Sequence, residues 1–274
     1  MSLTLATKLP DARRTLRTSS VLRSEWIKVR TVRSTMWTLL AMVIISVGVS
    51  VIAAIAVSGR WSSMSLGERL NFDPTGRSLR GLLFSQLVIG VLGVLVMSAE
   101  YSTGTIRATL SAVPHRSVVV ATKSAVFAVL GLVVGETLSF AAFLLGQTLL
   151  KSPAPHATLT QPGVLRAVVG GGLVIAVMGL FALGLAAIIR HTAGAITAYV
   201  GTLLILPLLV AALPSSMSEP INKYLPLTIG HAMTSVSRGV DPSLLSPWIG
   251  FFVLCAYALG ALVVGGALMV RRDV

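Results

Sequence analysis

The chain alternates between long apolar stretches and shorter polar ones, and six of the apolar stretches are 19 residues or longer. An α-helix needs about 20 apolar residues to cross the hydrocarbon core of a bilayer. We therefore predict an all-α, polytopic membrane protein with six transmembrane helices. The predicted spans are residues 36–57, 81–99, 121–150, 167–189, 193–213 and 248–270.

The residues before the first span predict a basic cytoplasmic tail that ends in an interfacial helix. In residues 21–34, Leu22, Trp26 and Val29 recur at i, i+4 and i+7. The cations of this stretch are Arg23, Lys28, Arg30 and Arg33. Such a helix places its apolar side among lipid headgroups and its basic side toward acidic lipid. The alternative is an ordinary basic flank of the first span. We divide the chain into residues 1–34 and a single transmembrane domain over residues 35–274.

The polar stretch from Glu100 to Lys123 lies between two apolar spans and predicts a short amphipathic helix on the membrane surface. Thr103 or Thr105 can cap it, and Pro114 ends it, because proline cannot donate to the helical ladder. One face is apolar, with residues at helical spacing: Ile106, Leu110 and Val113. A membrane protein can use a short helix with one water-exposed face to contact a soluble partner.

Composition and charge favour membrane insertion over other classes. The chain is 54% hydrophobic and 11% charged, with a mean hydropathy of +0.87. Its net charge of +13 comes from basic residues at the ends of apolar spans, without the stacking aromatics of a nucleic-acid surface. The lone Cys255, the scattered histidines and the absence of a G-x-x-x-x-G-K-[ST] sequence predict no catalytic residue, metal or bound cofactor.

Basic residues also predict the orientation. With the N-terminus inside, 14 of the 22 Lys and Arg residues face the cytoplasm and eight face outward. This imbalance favours cytoplasmic termini in a plasma membrane, with residues 100–123 inside.

Glu136 lies near the middle of the third span. Because an acid at that depth is costly, it is expected to face protein or water and is a functional candidate. A structural hydrogen bond to a neighbouring helix explains it equally well. Gly131 and Gly135, in the same span, form a G-x-x-x-G pattern that permits close helix approach.

Three segments carry a resemblance to a known family. They are SEWIKVRTVRSTMW before the first span, AEYSTGTIRATLSAVPHRSVVVATK after the second, and GLFALGLAAIIRHTAGAITAYVGTLLILPLL across the fourth and fifth; LPLTIGHAM fits too. The chain resembles a membrane subunit of an ABC-2 type ATP-binding-cassette transporter along nearly its whole length. Its 17 arginines to five lysines resemble members from high-GC bacteria such as actinobacteria.

The resemblance implies a homodimer or heterodimer of six-span permease subunits that works with two cytoplasmic ATPase subunits. It also implies that the loop after the second span is the coupling helix. The residues that match the family's coupling-helix pattern or lie on the predicted helix are Glu100, Gly104, Thr105, Ile106, Arg107, Leu110, Pro114 and Arg116. Glu136 matches no family motif.

The function expected from these features is that of a non-catalytic permease, which exports a hydrophobic or amphiphilic compound when its partner hydrolyses ATP. The alternative is a stand-alone secondary transporter driven by an ion gradient, a class that uses ionisable groups at mid-membrane. No nucleic-acid partner is expected, whereas membrane lipid is.

Overall fold

The structure is a computed structural model of the 274-residue chain, and it describes residues 18–31, 33–102, 104, 116–150, 154–236 and 244–271. In these ranges the chain forms α-helices, one 3₁₀ turn and one π turn, without a strand. The predicted all-α fold is therefore confirmed.

Twelve α-helices make up the described part of the chain. In order they are α1 (Thr18–Thr31), α2 (Arg33–Arg60), α3 (Leu66–Leu70), α4 (Pro74–Ser78), α5 (Leu82–Ser102), α6 (Arg116–Leu149), α7 (Val164–Ile189), α8 (Thr192–Val200), α9 (Leu206–Ala211), α10 (Ser215–Asn222), α11 (Pro226–Thr234) and α12 (Pro247–Arg271).

Six helical segments in the described ranges are long and apolar enough to cross a membrane, which confirms the predicted number. The fifth is composite, because α8 continues through a π turn at Gly201–Ile205 into α9, next to Pro207. Proline lacks the N–H that an α-helical turn requires, which accounts for the break at this point. The helix of the third span begins at Arg116, before the predicted residue 121, and that of the second runs on to Ser102.

Helix α7 occupies the centre of the bundle, with α5, α6 and α12 packed around it. Glycines make this possible: a Cβ on Gly93 of α5 would lie 2.4 Å from the Gly179 carbonyl oxygen, and one on Gly135 of α6 would lie 2.6 Å from that of Gly172. On a third side, Gly184 meets Ala261 of α12. In lipid, helices associate largely through such close backbone contact, because hydrocarbon offers no hydrophobic drive between them.

The outer faces of the peripheral helices are apolar, as a bilayer requires. Ile44 and Ile52 of α2, Leu208 of α9 and Phe252 of α12 are all exposed. Polar groups concentrate instead at the two ends of the bundle. One end holds α1, the end of α5 and the start of α6; we call it the α1 end. The opposite end holds α3, α4, α10 and α11.

Candidate functional site

Four charged side chains form a closed ring at the α1 end. Lys28 Nζ lies 2.6 Å from Glu25 Oε1 and 2.8 Å from Glu100 Oε1. Lys123 Nζ lies 2.7 Å from Glu25 Oε2 and 2.9 Å from Glu100 Oε1. Each ammonium group therefore bridges the same two carboxylates. We call Glu25, Lys28, Glu100 and Lys123 the charge ring.

Three of the four members are almost completely buried. The exposed fraction of the side chain is 3% for Lys123, 4% for Glu25 and 9% for Glu100, whereas it is 47% for Lys28. Burial lowers the pKa of Lys28, but its hydrogen bonds to Glu100 and Glu25 outweigh that effect and leave the pKa above its usual value. Two lysines and two glutamates make the ring neutral as a whole, which limits the free-energy cost of removing these charges from water.

The charge ring joins three helices that are distant in sequence. Glu25 and Lys28 lie one turn apart on α1, which packs beside α6. Glu100 comes from the last turn of α5 and Lys123 from the second turn of α6. Lys123 Nζ also lies 3.4 Å from the carbonyl oxygen of Val96 on α5. The ring thus fixes the ends of α5 and α6, between which the polar segment 103–115 runs.

A second set of contacts holds the end of α5 from its other side. Arg190, in the turn between α7 and α8, has φ of +61° and places its guanidinium 5.6 Å from the Tyr101 ring centroid. It also donates from Nη2 to the Leu268 carbonyl oxygen at 2.9 Å. Thr192 Oγ1 donates to Ser98 Oγ at 2.9 Å. The last turn of α5 is therefore tied to α1, α6, α8 and α12.

The predicted coupling residues divide into described and undescribed ones. Thr105, Ile106, Arg107, Leu110 and Pro114 lie outside the described residues. Gly104 is described: it is exposed and has φ of +68°, a conformation that glycine adopts without strain.

The two ends of this stretch belong to helices. Glu100 is a buried member of the charge ring, in the last turn of α5. Arg116 is the first residue of α6, and its side chain lies outside the described part of the chain.

Glu136 lies in the span region of α6, on the side that faces α7. A Cβ on Gly172 of α7 would lie 2.5 Å from the Glu136 carboxyl carbon, so the acid packs against backbone. Its Oε2 atom is buried without a hydrogen-bond partner among the described residues. Its functional role stays a prediction.

Glu25 was not predicted as a site residue from the sequence, and neither Lys28 nor Lys123 was predicted to pair with an acid. A signal for Glu25 was present, because it is the lone acid in a basic stretch and Lys28 follows at i+3, a spacing at which side chains meet on a helix. Its contacts with Glu100 and Lys123 depend on the packing of three helices. Within the described ranges, no group of three or more His, Cys, Asp or Glu side chains could hold a metal ion.

No protein-family model matches the chain, and a search of curated proteins gives no significant match. The resemblance to ABC-2 permeases therefore rests on the segments quoted above.

Proposed function

We propose that this chain is the permease subunit of an ABC-2 type transporter in a bacterial plasma membrane. It pairs with a second permease subunit, identical or related, and with two cytoplasmic ATPase subunits. It hydrolyses no ATP itself, and it exports a hydrophobic or amphiphilic compound. Both termini and the α1 end face the cytoplasm.

One observation carries this proposal: the charge ring fixes both helix ends from which segment 103–115 emerges. A coupling element transmits force only if its attachment points are rigid with respect to the spans. Glu100 and Lys123 provide such attachment, because their mutual ion pair is buried and α1 locks it from the side. A loop that served only as a connection would have no need of a buried ring at its base.

The mechanism that follows is mechanical. Movement of the ATPase displaces segment 103–115, and the displacement passes into α5 and α6 together because the ring joins them. Helix α7 lies against both, in close backbone contact at Gly93 and Gly135, so a shift of either helix reaches the centre of the bundle. α1 would act as a strut along the membrane surface.

Co-expression with a candidate ATPase subunit tests the proposal, with co-purification and substrate-stimulated hydrolysis as readouts. Leu110→Asp should abolish assembly or transport, because it places a charge on the predicted apolar stripe. Arg107→Ala should weaken coupling while the complex still forms, since a rim charge contributes little to affinity. Gly104→Val should also fail, because valine is strained at φ of +68°. A Leu110→Asp variant that assembles and transports like the parent would reject this contact.

Glu136 gives a reason to retain the gradient-driven alternative. It is an acid in a span, with one buried oxygen lacking a partner in the described part of the chain. Secondary transporters use such groups to carry protons or ions. In that case transport would proceed without an ATPase, and Glu136→Gln would abolish it. In an ABC-2 permease, Glu136→Gln should be mild.

A further inference from the structure

A cavity of about 1190 Å³ lies at the end of the bundle opposite the charge ring. Its walls come from α3, α4, the first turns of α5, and α11. Small-molecule sites typically enclose roughly 300–1,000 Å³. The cavity therefore has room for a ligand with an extended chain.

Three arginines line this cavity: Arg60, Arg77 and Arg80. Within the described ranges, none of them lies within 4.0 Å of a carboxylate oxygen, because the ion pairs found there are those of the charge ring. Arg77 is half-buried, with its guanidinium 5.9 Å from the Phe72 ring centroid. Burial lowers its pKa, the nearby charges of Arg80 and Arg60 lower it further, and the charge of Asp73 opposes part of this effect. Arg60 and Arg80 therefore lie close enough to Arg77 for their positive charges to repel its own.

The acids of the cavity are already occupied by local donors. Asp73 Oδ1 accepts from two backbone N–H groups of α4 at 3.0 Å, and Oδ2 accepts from Val236 N at 2.7 Å. Glu68 accepts from the Ser65 backbone N–H at 2.9 Å and hydroxyl at 2.8 Å. Both carboxylates thus have structural roles, while their charges still act on the cations, that of Asp73 on Arg77 and that of Glu68 on Arg60. Among the described residues the three guanidinium groups have no hydrogen-bond acceptor, so their donors are available to an anion.

The rest of the lining is mixed, with leucines on one part of the wall and uncharged polar groups and a histidine on the others. The polar residues are Asn71, Gln86, Asn222, Thr228, His231, Thr234 and Ser235. Leu83 and Leu227 are partly exposed and line the cavity together with the buried Leu82. The Gln86 side chain, 5% exposed, also belongs to the lining, and its Oε1 has no hydrogen-bond partner among the described residues. Charged donors beside leucines suit a ligand that is anionic at one end and apolar at the other.

We propose that this cavity binds an anionic amphiphile, a molecule with an acyl chain and an acidic headgroup. The headgroup lies among Arg60, Arg77 and Arg80, and the chain lies against Leu83 and Leu227. The site belongs to the chain itself and does not depend on an ATPase partner. The proposed binding site can therefore be tested independently of the proposed permease function.

Three probes separate the parts of this recognition. The purified full-length chain in detergent is titrated with phosphatidylglycerol, phosphatidylcholine or glycerol 3-phosphate, and bound molecules are counted by native mass spectrometry. Phosphatidylglycerol has both the charge and the chains, phosphatidylcholine lacks the net charge, and glycerol 3-phosphate lacks the chains. We expect phosphatidylglycerol to bind at least tenfold more tightly than either of the others, a difference of about 1.4 kcal/mol.

Two double variants locate the binding. Arg77→Gln with Arg80→Gln should weaken phosphatidylglycerol binding at least tenfold. Arg69→Gln with Lys223→Gln removes the same charge from the same end but outside the cavity lining, and it should leave binding unchanged. Should the first double variant misfold, Arg80→Gln alone, at an exposed position, should still weaken binding at least threefold.

Equal losses in the two double variants would overturn the proposal, as they would indicate a general surface charge effect. Equal affinity for phosphatidylcholine would refute the role of the arginines. Glycerol 3-phosphate binding as tightly as phosphatidylglycerol would refute the role of the apolar wall.

Discussion

Lys28 and Lys123 offer a matched pair for testing what the charge ring contributes to stability. Both lysines lie within 2.9 Å of the same two carboxylates, Glu25 and Glu100. They differ in burial, because the Lys28 side chain is 47% exposed and the Lys123 side chain is 3% exposed. Replacing each with methionine removes the same charge from the same partners in two different environments.

Lys123→Met should destabilise the chain far more than Lys28→Met. Without Lys123, two buried carboxylates face each other with only the exposed lysine to compensate. Leaving an uncompensated charge at a buried pair costs about 3–5 kcal/mol. Lys28→Met leaves the buried Lys123 between the two acids. The half-exposed Lys28 is screened by water and contributes less, roughly 0–1 kcal/mol for an exposed pair.

Equilibrium unfolding in mixed detergent micelles measures the two free energies of unfolding. A second variant, Glu25→Gln with Lys123→Met, checks the cause: removing both charges should recover part of the loss, since Glu100 then keeps Lys28 as its partner. Equal destabilisation by Lys28→Met and Lys123→Met would refute the reasoning, and so would a Lys123→Met cost below about 1 kcal/mol.

Three further predictions concern packing, the intramembrane acid and topology. Gly135→Ala should cost about 1–3 kcal/mol of unfolding free energy, because its Cβ would meet a backbone oxygen at 2.6 Å. Gly260→Ala is the control, because a Cβ at that position would meet nothing within 4 Å, and it should not lower the free energy of unfolding. Equal free energies of unfolding for the two variants would contradict the close packing of Gly135 against α7. Glu136→Gln should unfold at a higher temperature than Glu136→Leu if hydrogen bonding is the role of the acid, and the reverse order would exclude it. A cysteine at position 104, in a Cys255→Ala background, should be labelled only from the cytoplasmic side of intact cells, and labelling from outside would reverse the topology.

The six spans were predictable because each is a local property of the sequence: a run of apolar residues long enough to cross a bilayer. Their ends were harder to place. Glu100 lies just past the predicted end of the second span, because hydropathy alone assigns a charged residue to a loop. In the structure Glu100 has a buried ion-pair partner in Lys123, which allows α5 to continue past that limit to Ser102.

The site was predictable only in part, because it depends on which helices meet. Gly131 and Gly135 indicated close helix approach, but the sequence did not indicate that α7 is their partner. Lys123 and Glu25 are separated by 98 residues, and a pair so distant leaves no periodic pattern. The arginines of the cavity were counted as outward-facing cations. Their convergence depends on how α3 and α4 fold between the first two spans.

The most direct test of the proposed coupling is site-specific photo-crosslinking between this chain and a co-expressed ATPase subunit. A photo-reactive residue is placed at Leu110 or, as a control, at Leu66, which is 74% exposed on α3 at the other end of the bundle. The proposed function predicts a crosslink to the ATPase from position 110 and none from position 66. A crosslink from position 66 alone, or from neither position in a complex that still hydrolyses ATP on adding substrate, would contradict it.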